Sequence, residues 1–85
     1  MILTQTDAVS VLSNAFREKI EFSLDIPLIE SGLRLESLPM IRTLVELEKI
    51  TGVAFEQEDA FELFGLSVNQ LVARVNELLL EAANS

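Results

Sequence analysis

Eighty-five residues carry 14 Asp and Glu against 6 Lys and Arg, a formal net charge of −8, yet 49% of them are hydrophobic. So acidic a surface repels nucleic acid and anionic membranes, both of which need clustered cations, and so apolar a chain offsets the ordering entropy that keeps polar chains unfolded. With no Cys and no His, disulfides, Cys/His zinc sites and Cys/His nucleophiles are excluded, and a chain this short builds one modest core, read here as a single domain over residues 1–85.

Met1 to Asp7 lacks a basic stretch followed by a long apolar one, so no signal peptide is read there. Apolar runs stop at three residues, as in Leu78-Leu79-Leu80, far short of a membrane span, and a cytoplasmic protein is the expectation. Thr4, with Asp7 three residues later, opens a first helix over about 4–19, whose stripe is Val9, Leu12, Phe16 and Ile20. Residues 21–36 have no clean period: Ser23, Asp25, Pro27, Ser31 and Gly32 punctuate them, while Phe22, Leu24, Ile26, Leu28, Ile29, Leu33 and Leu35 keep them apolar. A long apolar loop is expected to lie across the core rather than project into solvent. Ser37 reads as the N-cap of a second helix, with Pro39 in its first turn, an inward stripe of Met40, Leu44, Leu47 and Thr51, and Gly52 as terminator. Glu58 to Phe64 reads as a short third helix closed by Gly65. Ser67 and Gln70 form a capping box for a fourth, carried by Leu71, Val75, Leu78 and Leu79 to about Glu81. The expected fold is all-α: a small four-helix bundle with three long helices, one short third helix and a long loop between helices 1 and 2.

Motifs for independent chemistry are lacking. Gly32, Gly52 and Gly65 are too far apart for a phosphate loop, and Glu56-Gln57-Glu58-Asp59 lacks the alternating acids and central glycine of a calcium loop. Glu58 and Glu62, at helical spacing, read as a solvated acidic face rather than a catalytic pair. Arg42, Glu46 and Lys49 read as ordinary surface partners. No catalytic residue and no metal ligand set is assigned.

One segment has a different character. Gly32-Leu33-Arg34-Leu35-Glu36-Ser37-Leu38, after the apolar loop and at the start of the second helix, resembles the signature of the acyl and peptidyl carrier proteins, where an acidic residue, a serine and a leucine stand at this helix start. Asp25 to Gly32 is similar to that family's loop into the motif, Leu44-Val45-Glu46-Leu47-Glu48-Lys49 to Gly52-Val53 to its second helix, and Leu66 to Val72 to the opening of its last one. The likeness runs over about residues 5–80 in order and spacing. It implies a 4′-phosphopantetheine arm, taken from coenzyme A, attached to Ser37 through a phosphodiester. On that arm acyl, aminoacyl or peptidyl intermediates would ride as thioesters.

The same likeness implies partners: a phosphopantetheinyl transferase, which Glu36 would contact, and loading, transferring or condensing enzymes with basic docking patches. Leu38, Ile41, Val45, Glu46 and Glu48 would make most of the docking surface, flanked by Glu58, Asp59 and Glu62. Between residues 30 and 62 stand eight acids and three bases, a net of −5 that attracts basic patches. Elementary physics agrees with the attachment point, since a helix N-terminus favours a phosphate, and an arm with its own thiol needs no cysteine in the protein. Ile41 and Val45, on the serine's helical face, are expected to line a way in between helices or to meet a partner, with Phe16, Phe22, Leu33 and Phe61 setting the size of any cavity.

The sequence departs from the family pattern in places. Glu36 replaces the usual aspartate, the stretch from Gly32 to Ser37 is at least one residue longer than in common versions, and Pro39 and Arg42 stand where acids are frequent. These changes point to a specialised lipid or polyketide-type pathway. The expected molecule is a monomeric carrier, not an enzyme. The alternative is a carrier-like acidic module that is never modified and binds a basic protein partner.

Overall fold

A computed structural model describes residues 2–84. Its elements are α1 (Gln5–Phe16), a short 3₁₀ turn (Leu28–Glu30), α2 (Ser37–Thr51), α3 (Gln57–Phe64) and α4 (Val68–Asn84). Helix α1 packs on α2 and α4, while the short α3 bridges α2 and α4. The radius of gyration, 11.9 Å, equals the roughly 12 Å of a compact chain of this length. Among the described residues no helix is long and apolar enough to cross a membrane.

Helix α1 begins where its sequence predicts: the Thr4 hydroxyl accepts from the Asp7 N–H at 3.1 Å, and the Asp7 carboxylate accepts from the Thr4 N–H at 3.0 Å. It ends three residues before the predicted Lys19. Arg17 turns left-handed (φ 54°), and the Glu18 N–H reaches back to the Ser13 carbonyl at 3.2 Å, closing the helix without a glycine. Ile20 therefore lies outside the helix. The buried face runs through Ala8, Val11, Leu12 and Ala15, with Val9 and Phe16 only half-buried at its margin.

The expected loop across the core is present as a strap. Leu28 is 0% exposed and Leu33 is buried, with Phe22, Leu24 and Leu35 packed against the core. Burying a leucine this fully is worth about 1.5–3 kcal/mol, one of several contributions set against the entropy cost of ordering a loop with little regular structure. The strap is also stitched to the α3–α4 turn. The Leu28 N–H donates to the Leu66 carbonyl at 2.9 Å, the Asn69 N–H donates to the Leu24 carbonyl at 3.1 Å, and Pro27 and Ser67 form an isolated antiparallel bridge.

Helix α2 differs from expectation by one residue at its start. The N-cap is Glu36, whose carbonyl accepts from the Met40 N–H at 3.2 Å, and Ser37 is already helical. Proline at position 39 removes the N–H that the cap's side chain would otherwise seek in the third helical position. Gly52 ends α2 at φ 75°, as its sequence predicts. Helix α3 starts one residue earlier than expected, because Asp59 Oδ2 accepts from the Glu56 N–H at 2.8 Å and fixes Glu56 as the cap. The α4 capping box is as read: Ser67 Oγ accepts from the Gln70 N–H, and Gln70 Oε1 from the Ser67 N–H, both at 3.1 Å. The helix continues to Asn84, three residues past the expected Glu81.

Leu3, before α1, is buried in the core, and its backbone is held in place by Asn76 on α4. The Leu3 N–H donates to Asn76 Oδ1 at 2.8 Å and Asn76 Nδ2 donates to the Leu3 carbonyl at 3.0 Å. Leu3, Leu12, Leu28, Leu47, Leu63, Leu71 and Val75 form the centre of one continuous core.

Candidate functional site

Ser37 is exposed at the first helical position of α2, and no side chain caps that end of the helix. The first turn of α2 holds no acid, so the partial positive charge of the unpaired backbone N–H groups is not neutralised from within the helix. Glu36 lies just outside it, exposed and 3.8 Å from Arg34 Nε. Both side chains are largely in water, so this pair contributes little stability.

Ser37 also lines the mouth of an apolar cavity of about 440 Å³ between α2 and α3. Met40, Ile41 and Leu44 form the α2 wall, Ala60, Phe61, Phe64 and Gly65 the α3 wall, and Ile29 and Leu35 of the strap the remaining side. Besides Ser37, Gln57 is the polar side chain in the lining. Phe61 is 78% exposed and Ile29 67%, so two large apolar side chains stand at the rim without cover. A closed, fully buried core would leave neither there.

The predicted docking residues divide into groups. Leu38 is 59% exposed beside Ser37, and Ile41 borders both the cavity and a second groove. Val45 lies in that second groove only, between α1 and α2, with Arg42, Glu46 and Lys49. Glu46 is engaged there with Lys49 Nζ at 3.3 Å, and Glu48 is exposed. Of the three acids expected to flank the surface, Glu58 alone stands exposed without a structural partner among the described residues. Asp59 caps α3, and Glu62 accepts from Arg74 Nε at 2.6 Å, which ties α3 to α4 while the same guanidinium reaches Glu77 at 3.2 Å. Those two carboxylates raise the Arg74 pKa still further above its ordinary value.

Of the residues expected at the cavity, Ile41 and Phe61 line it, Val45 lies only in the second groove, and Phe16, Phe22 and Leu33 face the core instead. Phe16 packs edge-on against Phe64, centroids 5.9 Å apart. Ile29, Leu35, Gln57 and Ala60 were not anticipated as lining. Their signal is that the strap's alternation puts Leu28 in the core and leaves Ile29 out, and that α3 spaces Gln57, Ala60, Phe61 and Phe64 along one helical face. Among the described residues no cluster of three acidic side chains is arranged to hold a metal. No family model, curated protein or solved structure matches this chain.

Proposed function

We propose that this protein is a carrier: Ser37 accepts a 4′-phosphopantetheine arm from coenzyme A, and intermediates held on it as thioesters are presented to separate enzymes. The observation that carries this reading is an exposed serine hydroxyl, not engaged in capping, at the join between an open helix N-terminus and an apolar cavity. The residues fit the group. A phosphodiester on Ser37 Oγ meets the unpaired N–H groups and positive pole of α2, with Arg34 nearby as a counter-charge to Glu36. When bound, the arm supplies a thiol that the protein itself lacks.

This chain's own residues then attach, shelter and advertise. Ile41, Leu44, Phe61 and Phe64 keep water from an apolar cargo, and Leu38, Glu36 and Glu48 meet the transferase and the enzymes that load or unload the arm. The acids on α2 and α3 favour partners with basic patches and speed their encounter at low salt. A cytoplasmic setting, where coenzyme A is used, and a specialised lipid or polyketide-type pathway belong to the same proposal.

The test is mass spectrometry after incubation with coenzyme A and a broad-specificity phosphopantetheinyl transferase. Wild type gains one arm and Ser37→Ala gains none. A wild type that stays unmodified, or an equal gain on Ser37→Ala, rejects the reading. The exposed Ile29, Leu38 and Phe61 favour a second reading, an unmodified module that docks a basic partner through this rim. Protein from its native host with Ser37 always bare would select it.

A further inference from the structure

The cavity beside Ser37 has walls from two distant parts of the chain, and one corner of the molecule ties them together. Ile29 and Leu35 belong to the strap, whereas Phe61, Phe64 and Gly65 lead directly into the α3–α4 turn. That turn grips the strap through Leu66, Ser67 and the Asn69 N–H, as described above. The Asn69 side chain adds two further arms. Its Nδ2 donates to Asp25 Oδ1 at 2.6 Å, and its Oδ1 accepts from Gln5 Nε2 at 2.5 Å. Strap, α1 and α4 thus meet at one amide.

The strap is braced in its middle and anchored on both sides of Gly32, by Leu28 and by Leu33. Ser31 Oγ donates to the Leu28 carbonyl at 2.6 Å and accepts from the Leu33 N–H at 3.3 Å. The Glu30 N–H donates to the Pro27 carbonyl at 2.9 Å, so residues 27–31 form a braced turn. Gly32 follows at φ 91°, with open space where a Cβ would stand. A braced turn beside a residue with unusual backbone freedom has the make-up of a panel on a hinge.

We propose that Asn69 is the latch of this panel: a positioning residue that sets how often the braced turn tilts on Gly32 over its Leu28 anchor, and so how fast an apolar molecule enters the cavity. Both of its side-chain arms are exposed, so each contributes the modest net stabilisation of a hydrogen bond that water can replace. The latch therefore loosens with Leu28 still seated in the core, and that fully buried side chain limits how far the strap travels. This inference rests on the strap and the cavity and not on modification of Ser37.

Asn69→Ala deletes both arms and keeps the backbone bond to Leu24. Two readouts on the intact apo protein test it: hydrogen exchange at the Leu28 amide by NMR, and stopped-flow association of the neutral apolar dye Nile red. Both are expected to accelerate about fivefold in Asn69→Ala and about twofold in Asp25→Ala, which loses one arm, while exchange at Leu47 and Val75 stays unchanged. Ala60→Phe, which fills the cavity, removes dye binding without accelerating exchange at Leu28. The latch is rejected by unchanged Leu28 exchange in Asn69→Ala or by acceleration shared equally with the core amides. It is also rejected if dye association fails to follow strap opening, including the absence of dye binding altogether.

Discussion

Two serines open two long helices of this protein, and the chain treats them in opposite ways. Ser67 is buried, caps α4 in a reciprocal pair with Gln70, and sits in the corner where the strap is fastened. Ser37 is exposed, one residue inside α2, with no capping bond and an apolar cavity beside it. The difference comes from the neighbours. Gln70 stands three residues after Ser67 with a side chain that reaches back, whereas Met40 stands three residues after Ser37 and Pro39 removes a donor between them. A serine held by its own helix builds structure, and a serine left out of that bonding is available for chemistry.

The contrast can be broken at the fastened corner first. Leu28→Ala empties the centre of the strap and is expected to lower stability by about 2–5 kcal/mol in urea unfolding. A loss below about 1 kcal/mol would show that the corner is not locked by burial. Ser67→Ala removes a cap bond from a buried site and should lower stability by about 1–2 kcal/mol, leaving Ser37 fully modifiable by the transferase. Ser37→Ala should change stability by no more than about 0.5 kcal/mol while abolishing the mass gain, the reverse of the Ser67 result. A clear drop in stability there would mean that Ser37 is structural after all.

The smallest effect lies at α1. Asp7 is held below its ordinary pKa of 3.8, first by the Thr4 backbone N–H and then by the Thr4 side chain. A depressed carboxylate pKa stabilises the fold above the unfolded value and loses that contribution as pH falls through the folded one. The drop in melting temperature between about pH 5 and about pH 2.5 should therefore be slightly shallower in Asp7→Asn than in wild type. Equal slopes would show that the cap does not depend on the charge.

The four helices, their order and the Ser67 capping box were legible because each depends on neighbours within one or two turns. So was the burial of the strap, since a long loop this rich in apolar residues has to lie across the core. The end of α1 was not legible, because Arg17 adopts a left-handed backbone that sequence normally signals with glycine. The single-residue shift at Ser37 was hidden in the choice between two adjacent residues, both able to precede a helix. Glu62 read as a free docking acid because its partner, Arg74, arrives from a different helix. Leu3 and Asn76 lie 73 residues apart in sequence, beyond the reach of any local pattern. For the candidate site, the serine, Ile41 and Phe61 were visible, while the strap's share of the cavity depended on which side chain of the Leu28-Ile29 pair turned inward.

Phe64 links the cavity to the far end of α1. One aromatic ring is at once a wall of the cavity and a member of the core, and its edge-on neighbour across the core is Phe16, on the last turn of α1. A side chain that fills the cavity is therefore expected to change the flipping rate of the Phe16 ring, on a helix that contributes nothing to the cavity lining.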